Sequence, residues 1–127
     1  MPKILTIVET AYRATIEEQD DTVLWLSHML KNAGADLSIL LRANAVNYAA
    51  KGQDASGLSF GEIKMTHPPE IDKDVEKLIE KGVPVYLVEE DAKDRGLSEG
   101  DLISGIKKVK RQDLPGLIDQ HDQVWHW

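Results

Sequence analysis

Charged and amide side chains gather at three places in this chain. Glu9, Thr10, Tyr12, Arg13, Thr15, Glu17 and Glu18 follow one apolar run; Arg42, Asn44 and Asn47 follow a second. Glu89, Glu90, Asp91, Lys93 and Arg95 follow a third. Carboxylates, guanidinium groups and amides brought together this way can hold a small ligand or a partner through charge-assisted hydrogen bonds. They can also do acid–base work where burial raises one carboxyl pKa. Glu89 and Glu90 are adjacent, so at a strand end they point to opposite faces and only one can enter a crevice. Glu17 is then the better distant partner. Glu17, Glu89 and Asp91 have the donor type for Mg²⁺ or Ca²⁺, but no loop carries an EF-hand or comparable spacing, so no metal is expected. The competing reading is a solvated rim whose acids sit at the positive ends of helices.

Other chemistries are absent. There is no cysteine, so disulfides, thiolate metal sites and thiol nucleophiles are excluded together. His28, His67, His121 and His126 show no i, i+4 pairing and are expected to be structural. No Gly-rich phosphate loop, no G-x-G-x-x-G and no G-x-S-x-G occurs, and no cofactor is expected. Trp125 and Trp127 have two readings, core packing or a subunit interface, where tryptophan is enriched. Phe60 is likewise a candidate for interface or pocket cover.

The elements that must position these residues follow from size and pattern. At 127 residues the chain is expected to form a single domain over 1–127. A net charge of −7 argues against nucleic acid and an anionic membrane surface as partners. No targeting segment or apolar run of membrane-spanning length is visible, so the default expectation is a cytoplasmic protein. Residues 3–8, a continuous apolar run, read as a strand covered on both faces. A helix capped by Asp20 or Asp21 runs to about Ala33, with Gly34 as its stop. Strands are expected at 36–41, 83–88, 106–109 and 123–127. Helices are expected at 43–51, 72–81, 89–95 and 113–120, with a Ser98/Asp101 capping box. Residues 52–69 read as an irregular excursion. Alternating strands and helices imply right-handed crossovers and a mainly parallel sheet. All three polar clusters then fall at the carboxyl ends of strands, where open sheets bind ligands.

The segment 83–97, VPVYLVEEDAKDRGL, resembles the DsrE/DsrF-like family of small α/β proteins. So do 101–106, DLISGI, the closing 122–127, DQVWHW, and 35–48, ADLSILLRANAVNY. The resemblance implies an α/β three-layer sandwich: a five-stranded mainly parallel sheet with helices on both faces. It also implies a homo-oligomer (dimer, trimer or hexamer). Members with the family cysteine relay persulfide sulfur between proteins. That cysteine falls at or near Val88, with a second position of some members near Asp91. The expected function is therefore a cysteine-less DsrE-like protein, a non-covalent partner- or small-ligand-binding oligomer linked to sulfur metabolism. The ligand-binding candidates are Tyr12, Arg13, Glu17, Arg42, Asn44, Glu89, Asp91 and Arg95. The alternatives are a small enzyme using the carboxylate and arginine edge, and a purely structural or regulatory subunit.

Overall fold

The computed structural model describes residues 1–11, 21–54, 57, 59–64 and 68–127. In chain order the strands are β1 (Lys3–Val8), β2 (Asp36–Leu41), β3 (Ser59–Phe60), β4 (Ile63–Lys64), β5 (Val85–Val88), β6 (Lys107–Val109) and β7 (Gln123–His126). The helices are α1 (Thr22–Asn32), α2 (Ile71–Glu80), α3 (Glu89–Asp94) and α4 (Leu114–Asp119). Short 3-10 helices occupy Ala43–Ala49, Glu99–Asp101 and Arg111–Asp113.

Five strands form one sheet in the order β6-β5-β2-β1-β7. Every pairing within it is parallel. The register lines up His126, Ile7, Leu40, Tyr86 and Lys107 across the sheet. Since side chains alternate along a strand, these residues share one face, and Ile4, Val8, Ile39, Leu41, Val85 and Leu87 belong to the other. Two cores follow from that alternation. The larger packs the second set against Val23, Leu24, Tyr48, Val75 and Leu78 from α1, α2 and the first 3-10 helix. The smaller joins Leu5, Ile7, Leu40 and Val88 to Leu114 and Leu117 of α4. Helices therefore cover both faces, unequally.

Local rules explain the element ends. Asp21 caps α1: its Oδ1 accepts the N–H groups of Val23 and Leu24 at 2.9 and 3.0 Å. Its other carboxyl oxygen accepts the hydroxyl of fully buried Tyr48, which ties the helix start to the 3-10 helix. Gly105 sits at φ +87°, and a Cβ there would meet the Ile79 side chain at 2.9 Å, so this turn needs glycine. The Ser98/Asp101 capping box is present at the 3-10 turn.

Some expectations are corrected. The 43–51 helix is a 3-10 helix, because Ala45, Val46, Tyr48 and Ala49 all turn into the core over its short length. The expected strand at 83–88 begins at Val85, after Pro84, whose carbonyl still accepts the Ile39 N–H at 2.9 Å. The 52–69 excursion contains an ordered antiparallel pair, with Ser59 opposite Lys64 and Phe60 opposite Ile63. Gly61 in its tight turn has φ +64°, the conformation two-residue hairpin turns require. Among the described residues no helix is long and apolar enough to cross a membrane.

Candidate functional site at the carboxyl edge of the sheet

Because the sheet is parallel, β1, β2, β5, β6 and β7 all end at one edge. The residues just past those ends are Glu9, Arg42, Glu89, Lys110 and Trp127. Two linked clusters form there, and β2, the middle strand, feeds both.

The first cluster is centred on Asp91. This residue lies in the first turn of α3 and is buried. One carboxyl oxygen accepts the Ala43 N–H at 2.8 Å, and the other pairs with Arg111 Nη2 at 2.5 Å. Burial pushes the Asp91 carboxyl up, but the Ala43 N–H, the Arg111 bond and charge and the Arg95 charge outweigh it and hold it below the usual range. Asp91 raises the Arg111 guanidinium pKa in return. Arg95 donates from Nε and Nη2 to Asn44 Oδ1 at 3.1 and 3.0 Å, and from Nη1 to the Asp91 carbonyl at 3.2 Å. Glu90 accepts the Arg111 N–H with both oxygens. Three strand-end loops are thus fastened together through one carboxylate. Ala43, held in this way, is the one non-glycine with positive φ (+50°) among the described residues. Such left-handed alanines persist where the surroundings over-determine them.

The second cluster is centred on Glu9. Its Oε1 contacts Arg42 Nη1 at 3.1 Å and His126 Nε2 at 3.0 Å. Its N–H donates to the Trp127 carbonyl at 2.9 Å, so the ends of β1 and β7 are joined by backbone as well. Arg42 Nε is buried with no acceptor among the described residues. Beside this cluster Thr22, Val23, Leu26 and Trp127 line a mainly apolar cavity.

Of the ligand-binding candidates, Asn44, Asp91 and Arg95 fall in the Asp91 cluster and Arg42 in the Glu9 cluster. Glu89 is exposed and lines a separate shallow cavity with Glu90, Lys93 and Lys110. Tyr12, Arg13 and Glu17 lie outside the described residues. No group of three or more acidic or histidine side chains suited to a metal occurs among the described residues. Val88 ends β5 and is 1% exposed, packed in the smaller core. Trp125 packs partly against the larger core, while Trp127 is 40% exposed and Phe60 is exposed on the hairpin.

Sequence reasoning missed Arg111 and His126 as members of this edge. The signal was available: Arg111 follows the fourth strand of the sheet and His126 ends the fifth, and the rule that placed the other three loops applies equally to them.

Polar clusters at the ends of five parallel strands, with one buried anionic anchor, mark a small α/β protein with its charged side chains gathered at one sheet edge. The chain belongs to the DsrE/DsrF-like family, whose model matches residues 4–126. Among solved structures it is similar to the crystal structure of the ychN protein from E. coli, with TM-score 0.76 and 24% identity over 100% of both chains. It is also similar to a protein of unknown function, MTH1491 from Methanobacterium thermoautotrophicum, with TM-score 0.58 and 14% identity over 98% and 99% of the two chains. At these identities the likeness shows the fold. No curated protein sequence matches.

Proposed function

We propose that this chain is a non-thiol DsrE-like protein that binds a small ligand or a partner protein without a covalent step, as a homo-oligomer, within sulfur metabolism. The observation that carries the reading is the Asp91 anchor. A buried carboxylate fixes the β2 loop with Ala43 in a left-handed conformation at the edge where parallel sheets take ligands. A relay protein holds sulfane sulfur on a thiolate, and this chain has no cysteine to supply one. The remaining chemistry is recognition. Arg42 and Arg111 offer charged donors, and Arg42 Nε has an N–H whose acceptor a ligand would supply. Asp91 is held ionised, so it serves as an anchor rather than a proton donor.

Two measurements test this. The ¹⁵N-labelled chain is titrated with thiosulfate and with sulfite, probes for an anionic sulfur ligand. The expected result is saturable amide shifts at Ala43, Asn44 and Arg111. Separately, the chain is incubated with a low-molecular-weight persulfide and weighed by mass spectrometry, with no stable increment of sulfur expected. A stable sulfur adduct overturns the non-covalent reading, and an absence of saturable shifts with both anions overturns the sulfur-ligand reading.

A further inference from the structure

Away from the carboxyl edge, on the outer side of the larger helical layer, α1 and α2 enclose a groove. It is lined by Trp25, His28, Met29, Asp74, Lys77 and Lys81. Trp25 is 52% exposed and Met29 42% exposed. They lie one turn apart on α1, so they form a continuous apolar stripe. Their exposure is forced, because the inward side of α1 is already filled by buried Val23, Leu24 and Ser27. The groove is also braced. His28 Nε2 meets the Asp74 carbonyl at 3.1 Å, and Lys81 Nζ donates to Asn32 Oδ1 at 3.0 Å, so two bonds cross between the helices. Opposite the stripe, Lys77 on α2 and Lys81, the residue just past its end, stand four positions apart, both exposed.

We infer that this groove docks an acidic amphipathic helical segment of a partner protein. The segment's apolar residues would seat on Trp25 and Met29, and its carboxylates would meet Lys77 and Lys81. Helices that lie in grooves are read at i and i+4, the spacing of both the stripe and the lysines. An exposed tryptophan is the residue type that anchors such contacts. Charge decides the occupant. The chain carries −7 overall, yet the exposed charges of this groove are Lys77 and Lys81, while the one carboxylate in its lining, Asp74, has its Oδ2 buried. A second copy docked here with α2 against α2 would bring lysines against lysines, and one docked with α2 against α1 would leave both lysines of each copy without a carboxylate partner on the apolar stripe.

The probe is a synthetic helical peptide of about four turns, with Leu at i, i+4 and i+7 and flanking Glu, beside a control in which every Glu is Lys. Binding is read from the Trp25 indole N–H resonance and the amides of α1 and α2 in the full chain. The expected result is saturable binding of the acidic peptide, weakened by salt, and weakened about tenfold or more by the pair Lys77→Glu and Lys81→Glu. Trp25→Ala, on an exposed side chain, should also weaken it while the amide spectrum stays folded. The inference is overturned by no saturable binding of the acidic peptide, by equal binding of the lysine control, or by concentration-dependent burial of Trp25 in the chain alone. None of these outcomes bears on the anion titration at the sheet edge.

Discussion

Asp91 is the residue on which the edge depends, and its surroundings set a pH dependence. The folded carboxyl has a lowered pKa, against burial, because Ala43, Arg111 and Arg95 all favour the charged form. The unfolded value is about 3.9. A depressed folded pKa means that the anchor's stabilisation is fully present above the unfolded value and is lost as pH falls through the folded one. Asp91→Ala should cost about 1–3 kcal/mol at neutral pH, because it strands the Ala43 N–H and one arm of Arg111. Asp91→Asn keeps an acceptor but not the charge, so its stability should fall less steeply than wild type below about pH 4. Urea denaturation of the three proteins at neutral and acid pH measures both. An acid limb of unchanged steepness in Asp91→Asn would show that other carboxylates dominate.

At the scale of elements, the connection between α1 and the 3-10 helix at Ala43–Ala49 matters most. Asp21 accepts from three donors at once, the N–H groups of Val23 and Leu24 at the start of α1 and the hydroxyl of buried Tyr48. Asp21→Ala removes a cap worth about 0.5–2 kcal/mol. It also leaves a phenol buried without this acceptor, at about 1–3 kcal/mol. We expect a combined loss of about 2–4 kcal/mol in chemical denaturation, since coupled sites do not simply add. A loss under about 0.5 kcal/mol would mean that water replaces the carboxylate. The cap itself was legible in the sequence, because an Asp before an apolar-periodic run is a local signal. So were the strands of continuous apolar residues and the Ser98/Asp101 box. The Asp21–Tyr48 link was not, because it spans 27 positions and no local rule pairs those residues. The same holds for the Asp91–Arg111 pair, 20 positions apart, and for the left-handed Ala43, which carries no glycine or asparagine signature. Alternation that marks a two-residue strand is also too short to read, which is why the β3–β4 hairpin looked like loop.

For the whole molecule, the unequal covering of the sheet has a consequence for assembly. The larger core is roofed by α1, α2 and the 3-10 helix at Ala43–Ala49, whereas among the described residues α4 alone contributes helical side chains to the smaller one. On that thinner face Val124 stays 43% exposed beside buried Leu5, its pairing partner, and Ile118 of α4 is also exposed. Tyr86 is half-buried there, with the Lys107 ammonium 5.7 Å from its ring centroid. The two sheet edges differ as well. The edge strand β6 begins Lys107-Lys108 and is followed by Lys110, charges that discourage strand addition, while β7 reads Gln-Val-Trp-His with no lysine to guard it. A homo-oligomer of this chain should therefore bury the β7 side of the thinner face, with Val124 at its centre and His126, on the same face, near it. Val124→Lys places a charge on that surface without touching either core, so it should leave the circular dichroism and thermal midpoint nearly unchanged. In sedimentation equilibrium it should shift the wild-type assembly towards monomer. A wild-type chain that sediments as a monomer at all concentrations, or an assembly indifferent to Val124→Lys, would exclude this surface as the contact.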